Sequence, residues 1–136
     1  MKNYNACGLV AILFIVFSFF VSACTHQDPG ALPEKGYYIL FQLDGERPDV
    51  ESPVELTLES GRFSGVGPVN RWQAPINGNR VGQIALTRMM GPPAQMSVED
   101  RLMSALEGAT VQLGSDGQLE FVQGDVVRAV FLPKSK

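Results

Sequence analysis

The sequence predicts an α+β domain: a strongly curved antiparallel sheet of about eight strands with one amphipathic helix covering or plugging it. Three observations lead there. Turn signals punctuate the chain from Gly36 onward, at Asp44-Gly45, Ser60-Gly61, Asn77-Gly78-Asn79, Ser115-Asp116-Gly117 and Gly124-Asp125. The segments between them carry a two-residue alternation or short apolar runs. One stretch alone carries a helical stripe.

The first strand is Tyr37 to Leu43, whose run Tyr37-Tyr38-Ile39-Leu40-Phe41 reads as core, with an apolar surface as the alternative. Val54 to Glu59 alternates most plainly, with Val54, Leu56 and Leu58 on one face and Glu55, Thr57 and Glu59 on the wet one. Arg62 to Val66, Trp72 to Ile76 and Val81 to Leu86 follow. Gly65 and Gly67 predict a positive φ or a bulge, and Pro68 removes a donor, so the chain turns a corner at the sheet edge there. Ser97, with Asp100 three residues on, predicts a capped helix start, and Glu99 and Asp100 suit its positive end. Val98, Leu102, Ala105, Leu106 and Ala109 form its stripe, and Gly108 is the stop, giving about eleven residues. Ala109 to Leu113, Gln118 to Val122 and Val126 to Leu132 complete the strands. The last two form a hairpin in which Leu119, Phe121, Val127, Ala129 and Phe131 line one buried face.

The amino terminus is of another kind. Lys2, an apolar run and the small residues before Cys24 make residues 1–23 a secretory signal. The sixteen uncharged residues from Gly8 to Ala23 reach about 24 Å as a helix, short of the roughly 30 Å of a hydrocarbon core. Val21-Ser22-Ala23-Cys24 resembles the bacterial lipobox. That resemblance implies that the Cys24 thiol is acylated and becomes the first residue, held on a membrane by two or three chains at about 0.8 kcal/mol per methylene. Thr25, rather than aspartate, after that cysteine resembles outer-membrane sorting, which puts the domain on the periplasmic face. Residues 24–35, with Pro29, Gly30 and Pro33, read as a lipidated tether, and 36–133 as the domain.

The remaining chemistry is sparse. Cys7 leaves with the signal and Cys24 is taken by lipid, so no thiol is left for a disulfide. Losing Lys2 leaves 10 basic against 14 acidic residues, which argues against nucleic acid as a partner. The single histidine, His26, lies in the tether, so neither a metal site nor a histidine-based nucleophile can be assembled in the domain. No cofactor is implied. The acids sit on alternating strand faces or beside turn glycines, where charges are solvated. The chain therefore reads as non-catalytic.

Two motifs remain: Ser64-Gly65-Val66-Gly67-Pro68-Val69-Asn70-Arg71-Trp72, then Thr87-Arg88-Met89-Met90-Gly91-Pro92-Pro93. With the helix after them they resemble the META domain of HslJ-like lipoproteins, whose pattern is roughly S-G-x-x-G-C-N-R-aromatic, T-R/K-M-A-C and an acidic amphipathic helix. The likeness runs from about Tyr37 to Leu132. Gly65, Asn70, Arg71 and Trp72 fall in the first motif, Thr87, Arg88 and Met89 in the second. Val69 and Gly91 stand where many members carry cysteines that can pair, so the resemblance implies a fold here without that link. It also implies a cracked barrel with one helix, similar in outline to pilotin lipoproteins, a loose association with envelope stress and secretion, and no established reaction.

On the residues alone, Asn70 and Arg71 can bond the backbone of the corner, and Trp72 can carry Arg71 or Arg88 over its ring. That structural role stands beside a ligand-contacting one. Met89, Met90, Met96 and Met103 offer an adaptable surface beside the helix, with Met90 and Met96 its possible contacts, unless Met89 and Met103 simply fill core gaps. The functional expectation is an interaction module with an envelope protein partner, the rival being a small apolar ligand or lipid inside the barrel. A lysozyme-inhibitor lipoprotein is excluded by the missing cysteine pair.

Overall fold

The computed structural model describes residues 30–135. The signal, Cys24, Thr25 and His26 lie outside them. Nine strands and one helix follow in order: β1 Lys35–Leu43, β2 Glu55–Glu59, β3 Arg62–Val66, β4 Arg71–Asn77, β5 Arg80–Val81, β6 Ala85–Leu86, α1 Pro93–Leu106, β7 Thr110–Leu113, β8 Leu119–Gln123 and β9 Val126–Pro133. All pairings are antiparallel. The ladder runs β3-β2-β1-β9-β8-β7-β5-β4, and β4 pairs back onto β3, so eight strands close a barrel and β6 extends the outer edge of β4. Closure is narrow between β5 and β7, where Val81 N donates to Ala109 O at 2.9 Å and Val111 N to Asn79 O at 2.7 Å.

Alternation determines what fills this barrel. Val54, Leu56 and Leu58 point inward as expected, joined by Phe63, Ala74, Val111, Leu119, Phe121 and Phe131. The Phe121 ring lies 5.4 Å from both Phe63 and Phe131 in tilted and edge-on contacts, so the interior is packed with side chains.

Two bulges break the simple alternation. In β1 the register moves between Leu40 and Gln42, which keeps Leu40 and Leu43 both inside and turns Phe41 out at 43% exposure. In β9, Phe121 opposes Ala129 while Val122 opposes Val127, leaving Arg128 as the extra residue. Val127, expected in the core, is therefore outside at 42% exposure: an inserted residue reverses the face of everything before it. The strand expected over Val81 to Leu86 is two short ones. Between them Gly82 N still donates to Pro75 O of β4, but Ile84 N donates to Glu107 Oε1 rather than to a neighbouring strand.

The helix starts earlier than Ser97. Pro93 occupies its first turn, where a missing N–H costs nothing, and Pro92 flanks it without a side-chain cap. Ser97, Glu99 and Asp100 consequently lie inside α1, so neither acid serves the dipole. The stop is as expected: Gly108 takes φ +69° after Leu106. Leu102, Ala105 and Leu106 bury the stripe against the barrel.

Candidate functional site

The two sequence motifs meet at one corner of the barrel, between β3 and β4, against the first half of α1. Gly67 N donates to Asn70 O at 2.7 Å, closing the turn through Pro68 and Val69. Neither Gly65 nor Gly67 has a positive φ. Their role is close approach instead. A Cβ on Gly67 would sit 2.7 Å from Glu99 Oε2, and one on Gly65 would meet Glu55 O and stand 2.7 Å from Trp72 Nε1.

Asn70 organises the corner. Its Oδ1 accepts from Met89 N at 2.7 Å and Thr87 Oγ1 at 2.8 Å, and its Nδ2 donates to Glu99 Oε1 at 2.5 Å and Met89 O at 3.4 Å. Every polar position of the amide is therefore used, and the partners fix which end is oxygen. Thr87 Oγ1 also accepts from Arg71 N at 3.1 Å. The first motif is thereby stitched to the second.

Glu99 is the residue that sequence reasoning missed. Its carboxylate is buried at 3% exposure and also accepts from Val69 N at 3.0 Å and Asn70 N at 2.6 Å through Oε2. A buried carboxylate is tolerable because N–H donors replace its water. Helical spacing offered the signal: Glu99 sits three residues before Leu102 and seven before Leu106, on the side of α1 that faces the barrel.

Trp72 carries neither arginine. Its ring is in the core at 3% exposure, and its Nε1 has no hydrogen-bond partner. The cation–ring pairs among the described residues are elsewhere, Lys35 on Tyr37 and Arg47 on Phe41. Arg71 and Arg88 are exposed and make no hydrogen bond or ion pair through their guanidinium groups with any described residue. Met89 and Met90 are exposed at 54% and 89%, so Met89 fills no core gap, while Met103 packs against the core. Met96 is half-buried, and its sulfur accepts from Gly91 N at 3.5 Å.

Val69 and Gly91 are neighbours. A Cβ on Gly91 would stand 2.7 Å from Val69 Cγ2 and 3.4 Å from Val69 Cβ. A groove of about 500 Å³ opens beside the corner, lined by Thr57, Ser64, Arg71, Gln73, Ala85 and Leu86, with Gly65 and Trp72 also bordering it.

A second polar cluster ties α1 to the far end of β1. Asp44, at φ +51°, accepts from Arg128 Nε at 2.6 Å and Arg101 Nε at 3.4 Å. The Arg128 hydrogen bond holds the Asp44 carboxyl below the ordinary carboxylate range, against an opposing push from burial. Among the described residues, no three His, Cys, Asp or Glu side chains gather as a metal would require, and no helix is long and apolar enough to cross a membrane.

A search of curated proteins finds no match. A solved NMR structure of a protein from Burkholderia xenovorans aligns over 100% of each chain with a TM-score of 0.55 at 20% identity, a likeness of fold. The family model described as the META domain matches residues 31–136, which include every strand, the helix and both motifs. The chain belongs to the META domain family.

Proposed function

We propose that this META domain is a non-catalytic interaction module, anchored by lipid on Cys24 to the periplasmic face of the outer membrane. One observation carries the reading. The polar groups of the family motifs are spent on one another, with Asn70 bonded at every position, while the adjoining Met89 and Met90 lie open. A corner built this way holds a loop in shape and leaves no activated group for a reaction. The methionine side chains suit an adaptable apolar contact with an envelope protein. The envelope stress or secretion role associated with the family belongs to this same reading.

The anchor follows from the lipobox-like residues Val21 to Cys24. From Cys24 to Gly30 the chain can extend no more than about 20 Å, and Asn79 Nδ2 donates to Gly30 O at 3.4 Å. The tether leaves near the far end of β4, roughly 20 Å of strand from Arg71, which supports a methionine corner displayed away from the bilayer. The rival reading, a lipid or drug-like molecule inside the barrel, is disfavoured by the space that Phe63, Phe121 and Phe131 already fill.

Labelled palmitate fed to producing cells should enter the protein and be absent from Cys24→Ser. A photocrosslinker at Met90 should capture an envelope protein. Unlabelled protein with its leader attached would refute the anchor, and an empty crosslink would refute the module.

A further inference from the structure

We propose that the open edge of β6, beside the groove, pairs with an extended acidic segment of a partner protein whose carboxylates reach Arg71 and Arg88; this rests on the reading of the domain as an interaction module. The backbone supplies the first argument. Thr87 N donates to Arg71 O at 2.9 Å, so in the antiparallel pairing of β4 with β6 the next pair, Trp72 and Leu86, is a non-hydrogen-bonded one. The N–H and C=O of Leu86 therefore point away from β4, and no described strand pairs with β6 on that side. In a barrel that is otherwise closed here, this is a template for one more strand.

Charge identifies the occupant. The chain carries more acidic than basic residues, and most described cations are engaged: Lys35 with Glu59, Arg62 with Gln73, Arg101 and Arg128 with Asp44, Lys134 with Glu55. Of the rest, Arg47 lies over Phe41 and Arg80 sits on β5; Arg71, facing Thr87 across the β4–β6 ladder, and Arg88, two residues beyond β6, are unpaired beside this end of the sheet. The acid bordering the groove, Glu55, is already neutralised by Lys134 at 2.7 Å, and Glu99 is buried under three N–H groups. The corner is thus a local cationic patch on an acidic protein, fitted to carboxylates. Val66, Leu86 and Met90, all exposed, offer apolar contact for the alternate side chains of an incoming strand.

The test uses the full-length protein in nonionic detergent and a short capped peptide alternating glutamate with valine. Trp72, the single tryptophan, borders the groove and reports binding by its emission, while hydrogen exchange of the Leu86 amide reports strand pairing. The peptide should bind saturably, slow exchange at Leu86, and bind at least about tenfold more weakly when lysine replaces glutamate. The exposed double variant Arg71→Glu with Arg88→Glu should keep its thermal midpoint and reverse that preference. Equal affinity for both peptides, no saturation, or indifference to the double variant would overturn the proposal. If it fails while the Met90 crosslinker still captures a protein, the acidic strand is wrong and the module reading survives.

Discussion

Asn70 and Glu99, 29 residues apart, form one hydrogen-bonded unit: both the backbone N–H and the side-chain amide of Asn70 donate to the Glu99 carboxylate, at 2.6 and 2.5 Å. The bond joins the β3–β4 corner to α1, so a buried acid links the helix to the corner where the two family motifs meet.

Removing that acid should be costly. Glu99→Ala leaves Val69 N and Asn70 N without acceptors and Asn70 Nδ2 with only Met89 O at 3.4 Å, at a cost of about 3–5 kcal/mol in urea unfolding. Glu99→Gln, which keeps one acceptor oxygen, should lose about half as much. Near-wild-type stability of Glu99→Ala would mean that water already serves these donors.

Val69 occupies the space over Gly91, and the geometry suits a link between them. The 3.4 Å from Val69 Cβ to an ideal Cβ on Gly91 lies just below the roughly 3.5–4.5 Å span of disulfide Cβ atoms. In a background with Cys7 and Cys24 changed to serine, Val69→Cys with Gly91→Cys should oxidise spontaneously. Unfolding with and without reductant should then differ by about 2–4 kcal/mol. Gly91→Ala alone meets the Val69 methyls and should destabilise by about 1–2 kcal/mol.

Asp44 makes stability depend on acid. Its folded-state pKa is depressed below that of an ordinary aspartate, chiefly by the Arg128 hydrogen bond. The resulting stabilisation is complete above the unfolded carboxyl's pKa and is lost as pH falls through the folded one. Asp44→Asn keeps a residue tolerant of φ +51° but removes the charge. It should cost about 1–2 kcal/mol at neutral pH, with the difference from wild type shrinking below about pH 4. A difference constant between pH 3 and pH 7 would deny the ion pairs any role.

Gly65 is required by packing. Gly65→Ala places a methyl against the Trp72 indole and Glu55 O, so a loss of about 1–3 kcal/mol is expected, along with a shifted Trp72 emission. An unchanged spectrum and midpoint would show that the indole moves aside freely.

Local pattern alone determined most of the elements, because turn chemistry and side-chain periodicity act over a few neighbouring residues. Val54, Leu56 and Leu58 alternate into the core as read, Gly108 ends the helix, and the order of Asn70, Thr87 and α1 carries the family likeness. Position along a regular element was harder. Ser97 and Asp100 mimic a helix start but lie inside α1, since Pro93 begins it. Tertiary structure decided what short-range pattern cannot encode. The inserted Arg128 turned Val127 outward, pairing of β3 with β4 closed the sheet into a barrel, and the crossing of α1 over a distant corner buried Glu99. A carboxylate is stable in that interior only because donors from residues far away in the chain converge on it, and that convergence exists only once the barrel has formed.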